Sequence, residues 1–314
     1  MPALPNHEGH VLVIGASGMD IVGRASADLL PGISNPGRLR ISHGGVARNV
    51  AENLQRLGVQ AVLITAIGDD LEGGQLLARA AEIGVDVDHA ILVPEAKTGA
   101  YLALLDEDGG LKLGLDDMEV TGAISHGHLQ SRGELFETAA AVVVDGNLHP
   151  KTLATAVGLA RKADVPVVVD PTSRSLAEKF RAHLANVWLI SPNQGEAEAL
   201  LGGTGIEGGV RDPLEAARRI VAQGAEIAMI SRAEFGVSYA SAAGSGNVPA
   251  RQTEVIDPTG AGDALLATVV FGLLNDIPLD EAIRLGVTAA ALTLRVSGTV
   301  IPDLSLEMLY DQLI

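Results

Sequence analysis

The sequence contains no cysteine. Disulfides, thiolate metal sites and cysteine nucleophiles are thereby excluded. Aromatic residues make up only 3%, so a core must be filled with Leu, Val, Ile and Ala. Basic residues are scarce: 22 Lys and Arg stand against 39 Asp and Glu, a formal net charge of −17. Such a chain repels phosphate backbones, which argues against nucleic-acid binding. A helix N-terminus can still bind a small anion. Long hydrophobic runs are missing too. The longest, Ala264 to Leu274, is about half the ~20 residues that a membrane span requires. Met1 to His10 is polar and contains proline, unlike the basic and then apolar start of a signal peptide. The expectation is a cytoplasmic protein with neither a membrane nor a nucleic-acid partner.

What is present points to a folded chain. The 314 residues are 47% hydrophobic and 19% charged, enough for one large domain or two small ones. Short β-branched runs at Val11–Gly15, Ala61–Ile67, Ala141–Val144, Val165–Val169, Val187–Ile190 and Ile227–Ile230 read as buried strands. Between them, Val46, Val50, Leu54 and Leu57 recur at helical spacing, as do Leu76, Leu77, Ala80 and Ile83. Strand–helix alternation predicts an α/β fold with a parallel sheet covered on both faces. One region breaks the pattern. Thr98–Leu105 and Leu111–Leu115 flank Asp106-Glu107-Asp108-Gly109-Gly110, a hairpin signal. With Leu30–Arg40 leading into a further strand, this predicts a small β flap. Gly202-Gly203-Thr204-Gly205 and Gly244-Ser245-Gly246 read as surface loops, and His126 and His128 as part of a polar loop.

Four motifs carry chemistry. Asp257-Pro258-Thr259-Gly260-Ala261-Gly262-Asp263 precedes an apolar helical run. Its glycines allow a tight curl, and its N–H groups can converge on an anion. Asp263, in the first helical turn, can then take a proton from an attacking hydroxyl. A turn with a capping aspartate would not need three small residues before it. Gly44-Gly45-Val46-Ala47-Arg48-Asn49 opens the first amphipathic helix, and Asn49 lies where it can bond a sugar hydroxyl. Asp20 follows the first strand pattern and could do likewise, although a lone Asp there is commonly a loop cap. Asn193 and Glu196 share a helical face. They can hold a hydrated Mg²⁺ near phosphates or form a capping box. G-x-G-x-x-G and G-x-x-x-x-G-K-[ST] are both absent. Asp170-Pro171 reads as a strand-end turn, and Trp188 as core.

Taken in order, Gly44-Gly45 with Asn49, Asn193-x-x-Glu196 and Asp257-x-Thr259-Gly260-Ala261-Gly262-Asp263 resemble the ribokinase-like, or PfkB, carbohydrate kinases. The resemblance runs from Val11 to about Asp303. It implies a three-layer sandwich forming one domain over residues 1–314, with a β lid from about 33–43 and 97–116. Its implied activity is ATP-dependent phosphorylation of an alcohol group. Asp263 would be the base, with Gly260, Ala261 and Gly262 as the anion hole. Asp20, Gly44, Gly45, Asn49 and Asn147 would hold the substrate. Asn193, Ser231, Gly236, Thr259 and Gly262 would contact the nucleotide. Asn193 and Glu196 would organise Mg²⁺ through water, and Asp257 and Thr259 a potassium ion. A homodimer through the lid is a further implication.

Within the family, Gly44 to Leu54, Tyr101 to Asp106 and Asp116-Asp117-Met118-Glu119-Val120 resemble the members that act on pseudouridine. That implies the 5′-hydroxyl of pseudouridine as acceptor and Asp117 as a base-side residue. Asp116 stands where those members have Asn, and Ala233 where relatives have Gly. Another nucleoside, ribose or another sugar is the alternative acceptor. A catalytically silent sugar- or nucleotide-binding protein is the alternative of another class.

Overall fold

A computed structural model describes residues 9–108, 110–203 and 212–313 of the chain. The first eight residues, Gly109 of the hairpin turn, and Thr204-Gly205 lie outside the described residues.

The first strands are β1 (His10–Ile14), β2 (Gly18–Ala25) and β3 (Gly37–Gly44). Then come β4 (Ala61–Ile64), β5 (Ala66–Gly68), β6 (Ile91–Val93), β7 (Gly99–Leu105) and β8 (Leu111–Asp117). The series ends with β9 (Ala139–Asp145), β10 (Val167–Asp170), β11 (Leu189–Ile190), β12 (Ile227–Ser231), β13 (Val237–Ser241) and β14 (Gly244–Val248).

Eight strands form the main sheet, in the order β14-β13-β12-β11-β10-β9-β1-β4. From β4 to β12 every pairing is parallel; β13 and β14 add an antiparallel edge. Successive side chains go to opposite faces. Val11, Val13, Leu63, Val143 and Met229 join one core with the helices Val46–Arg56, Ala261–Leu274 and Leu279–Thr293. Leu12, Ile14, Val142, Val144 and Ile230 join the other, with the helices Pro150–Lys162 and Pro213–Ala222. Trp188 is buried in the first core, as expected. The chain is thus a three-layer α/β sandwich, as the resemblance implies.

The small second sheet has the order β3-β2-β7-β8 and serves as the lid. Its pairings are antiparallel except β2 with β7. The strand β2 was not expected, because its glycines and charges hide the period-2 pattern. One face of this sheet is apolar and open, with Leu39, Ile41, Leu113 and Leu115 all exposed. The other carries Asp20 toward the main sheet, where it is buried.

Three local expectations are corrected. Ala61–Ile67 is not one strand: the chain leaves the main sheet after Ile64, and β5 pairs with β6 instead. Gly244-Ser245-Gly246 is strand, not loop, because β13 supplies a paired edge and Tyr239 faces the bare backbone of Gly246. His126 and His128 belong to the short helix His126–Gln130, capped by Ser125. Among the described residues no helix is long and apolar enough to cross a membrane.

Candidate active site

The helix Ala261–Leu274 begins at Gly260, whose φ of 80° is left-handed. A side chain at Gly260 would collide with the backbone of Thr299, so glycine is required there. No side chain caps this end. The first-turn N–H groups therefore have no intrahelical partner and no cap. At Gly262 an added Cβ would meet open space. Packing does not require a bare backbone there, and the opening leaves room for a ligand.

Asp257 shapes the loop before this helix. It is fully buried, and its Oδ1 accepts from Thr259 N at 3.0 Å and Thr259 Oγ1 at 2.6 Å. Its Oδ2 accepts from Gly298 N at 3.0 Å and forms an ion pair with Arg40 of β3.

Asp263 sits one turn into the helix and is buried. Its Oδ2 accepts a 2.6 Å hydrogen bond from Asn49 Nδ2. Burial raises its carboxyl to about 7; nearby Asp20 and Asp145 push the same way, against the Asn49 bond and the Arg48 charge. Asn49 arrives on the helix Val46–Arg56, which begins at Gly45 with φ 92°. A side chain at Gly45 would strike Ala16 and Ser17, and one at Gly44 would strike the Asp20 carboxylate. The glycine pair thus lets β3, β2 and the helix start converge. Asp20, on β2, has its carboxyl raised to about 6, chiefly by burial.

Two carboxylates that sequence reasoning missed complete the cluster. Asp145 and Asp170 end neighbouring parallel strands and are paired in register. Open α/β sheets place ligands at this end of their strands. Asp145 Oδ2 accepts from Ala16 N at 2.7 Å, and its Oδ1 from Asn147 N at 2.8 Å. Burial, then the charges of Asp263 and Glu196, raises the Asp170 carboxyl well above its ordinary range. A carboxylate just after an apolar run is the signal that was available in the sequence. For Asp170-Pro171 a strand-end turn explains that pattern equally well.

Asn193 and Glu196 close a capping box on the helix Gln194–Leu200. Asn193 N donates to Glu196 Oε2 at 2.8 Å, Asn193 Nδ2 to Oε1 at 2.6 Å, and Glu196 N to Asn193 Oδ1 at 3.0 Å. The helix-cap arrangement is therefore formed. Ser231 N bonds Pro192 O at 3.0 Å, placing Asn193 beside the end of β12.

Next to the Gly260 helix start lies a cavity of about 680 Å³. Ser231, Gly236, Ala261 and Gly262 line it together with Leu265 and Val287. Ala233, which also lines it, stands at φ 44°. This non-glycine residue holds a left-handed conformation that costs roughly 1–2 kcal/mol. Asp117 is not brought to the cluster. It is exposed at the end of β8, where the strand register turns it to the lid's margin.

Residues 8–305 match the family described as pfkB family carbohydrate kinase. Pseudouridine kinase of Escherichia coli (strain K12) is 35% identical over 299 residues, covering 95% of this chain and 94% of that protein. Guanosine-inosine kinase of Exiguobacterium acetylicum is 28% identical over 283 residues, covering 90% of this chain and 93% of that protein. The structure of Arabidopsis thaliana ribokinase, solved with ribose and ATP, superposes with a TM-score of 0.78 over 97% of this chain and 98% of that chain. At 20% identity it speaks for the fold alone. The chain belongs to the pfkB family of carbohydrate kinases and is a sugar or nucleoside kinase, a phosphotransferase acting on an alcohol group.

Proposed function

We propose that this chain transfers the γ-phosphoryl group of ATP to the 5′-hydroxyl of a ribonucleoside, and that the nucleoside is pseudouridine. The Asp263 carboxylate carries the reading. It is buried at an uncapped, glycine-opened helix start and bonded on one oxygen by Asn49. A carboxylate raised toward the operating pH is suited to take the proton of an attacking hydroxyl. The backbone at Gly260, Ala261 and Gly262 receives the charge that develops on the phosphoryl group. Asp20 and Asn147 hold the sugar, with Gly44 and Gly45 giving it close access to the backbone. Asn49 contributes through its bond to Asp263. Asp117 has no role in this scheme.

The cavity beside Gly262 suits the nucleotide, with apolar walls at Leu265 and Val287 and polar groups at Ser231 and the helix start. Asn193 lies beside Ser231 and Thr259 one residue before the helix start, at the margins of that space. The Glu196 oxygens keep outer lone pairs beyond the capping box, so Asn193 and Glu196 fit a Mg²⁺ ion held through its waters. Bound Mg²⁺ neutralises phosphate charge that this acidic chain cannot. Asp257 and Thr259 would take a potassium ion only if it displaced Arg40. The whole chain acts as one domain in the cytoplasm, where ATP is plentiful. The lid excludes water, and two copies pair through its exposed apolar face.

Identity to the pseudouridine kinase over most of both chains supports the acceptor. Tyr101 of β7 lies close enough to Asp20 and Asp116 for their charges to add to burial in raising its hydroxyl. A ring at that place suits a base-bearing substrate better than free ribose. Guanosine or inosine is the second reading, supported by the other relative.

The test is ADP release with Mg-ATP across pseudouridine, uridine, guanosine, inosine, adenosine, ribose and fructose, with Asp263→Asn as control. Turnover on pseudouridine far above the rest, lost in the variant, is the expected result. Turnover on another member replaces the acceptor and keeps the chemistry. No turnover, with ligand-induced melting shifts, would make the chain a silent binder.

A further inference from the structure

Arg48 is a buried cation that the scheme above does not use. Its side chain is 4% exposed, on the helix Val46–Arg56 one residue before Asn49. Its Nη1 pairs with Glu52, one turn on. Its Nη2 donates to His43 O at 2.9 Å, to Thr299 Oγ1 at 2.7 Å and to Asn49 Oδ1. The Thr299 hydroxyl lies 2.8 Å from the same Asn49 oxygen. Arg48 therefore ties together the end of β3, the helix start and a residue 251 positions away.

We infer that Arg48 is a positioning residue for Asp263, acting through the amide of Asn49. An asparagine amide can face two ways. A guanidinium has donors only, so the amide atom facing Arg48 must be the oxygen. The NH₂ group is thereby turned to Asp263 Oδ2, 2.6 Å away. Among the described residues Oδ1 of Asp263 accepts no hydrogen bond, which leaves it for a substrate proton. Without Arg48 the amide can flip, presenting an oxygen to the carboxylate. The groups facing Asp263 are Asp20 on β2, Arg48 and Asn49 on the first helix, Asp145 on β9 and Asp170 on β10. Arg48 is the cation among them.

The inference rests on Asp263 being the base, and the test separates the two. In ¹³C-Asp-labelled protein, the Asp263 carboxyl is assigned by difference from Asp263→Asn and titrated without substrate. Arg48→Met should move its midpoint up by about 1 pH unit or more, since an opposite charge at this range favours the ionised form. The acid limb of kcat/KM should move with it. Arg48→Lys keeps the charge but cannot reach Glu52, His43 O and Asn49 together. Its limb should hold while kcat falls about tenfold from misorientation. Thr299→Val removes the second group at the Asn49 oxygen, together with that hydroxyl's bonds to Arg48 and His43 O, but keeps the Arg48 charge, and should lower kcat without moving the limb.

Glu52 also pairs with Arg56 at 2.9 Å, a partner that Arg48→Met leaves in place, so folding has support. An unmoved titration in Arg48→Met, or wild-type kcat and KM in both other variants, would overturn the inference and leave Arg48 a brace. If Arg48→Met does not fold, the other two variants decide. Retained activity in Asp263→Asn would instead remove the base assignment, while the titration still reports whether Arg48 holds that carboxylate.

Discussion

Asn49 Nδ2 lies 2.6 Å from Asp263 Oδ2, a hydrogen bond that closes across 214 residues of sequence. It joins the helix opened by Gly44-Gly45 to the helix opened by Gly260-Ala261-Gly262. The two glycine motifs are thus one site. Asp263→Asn keeps the shape of the side chain but cannot take a proton. We expect kcat to fall about 10³-fold, within the range that general-base catalysis contributes. Stopped-flow or coupled ADP assays on a variant of unchanged circular dichroism check this.

The same carboxylate sets a pH dependence. The Asp263 and Asp20 carboxyls are raised to about 7 and about 6, in both cases first by burial. Activity should be lost as pH falls through the Asp263 value, because the base is then protonated. Stability runs the other way. A group whose folded pKa lies above its unfolded one contributes stability that is full below the unfolded value and is lost as pH rises through the folded one. The unliganded protein should therefore melt at a higher temperature near pH 5 than near pH 8. Asp263→Asn should flatten that slope and raise Tm at pH 8 by several degrees. A variant that is inactive yet more stable is the signature to seek by calorimetry.

Much of this was legible in the sequence. The main strands are β-branched runs, and the helices repeat at 3.6 residues, so a parallel α/β sheet covered on both faces follows from periodicity, while the three-layer kinase sandwich came with the resemblance. The ordered glycine and Asp motifs marked Asp263, Asn49 and Gly260. The rest depends on register. Asp170 reads as a strand-end turn and Asp145 belongs to none of the motifs, and only the parallel pairing of β9 with β10 sets them side by side. Arg48 looks like a surface charge until Thr299 covers it. The strand β2 carries Gly18, Asp20, Gly23 and Arg24, which suppress any strand signal, and it exists because β3 and β7 flank it.

Two glycines of one motif should behave oppositely. Gly260→Ala forces a left-handed residue against the backbone of Thr299. Strain of about 1–3 kcal/mol, with the clash added, should lower Tm sharply. Gly262→Ala adds a methyl group into open space. It should fold like wild type but raise KM for ATP about tenfold, by crowding the space left for phosphate. Thermal melts paired with ATP titrations separate the two effects.

The lid's outer face should hold two copies together. Leu39 is 79% exposed, Leu115 65% and Ile41 64%, on the two edge strands, β3 and β8, of one small sheet. Apolar surface of this extent is rarely left open to water. Light scattering after gel filtration should give twice the chain mass for wild type. Leu115→Asp with Ile41→Asp should give the monomer, while the main sheet's melting transition remains.

Arg40 bears on the cation requirement. Its guanidinium, from the lid strand β3, pairs with the buried Asp257 carboxylate at the head of the anion-binding loop. A buried carboxylate needs a counter-charge, and the chain already supplies one. Potassium should therefore stimulate wild-type turnover by less than about twofold over a tetramethylammonium salt of equal ionic strength. Arg40→Gln leaves Asp257 with Thr259 and Gly298 as its hydrogen-bond donors. That variant should be slow in the large cation, and potassium should restore it, because a small monovalent ion can enter the vacated space. A wild type that is already potassium-dependent would mean that Arg40 leaves Asp257 when the substrates bind.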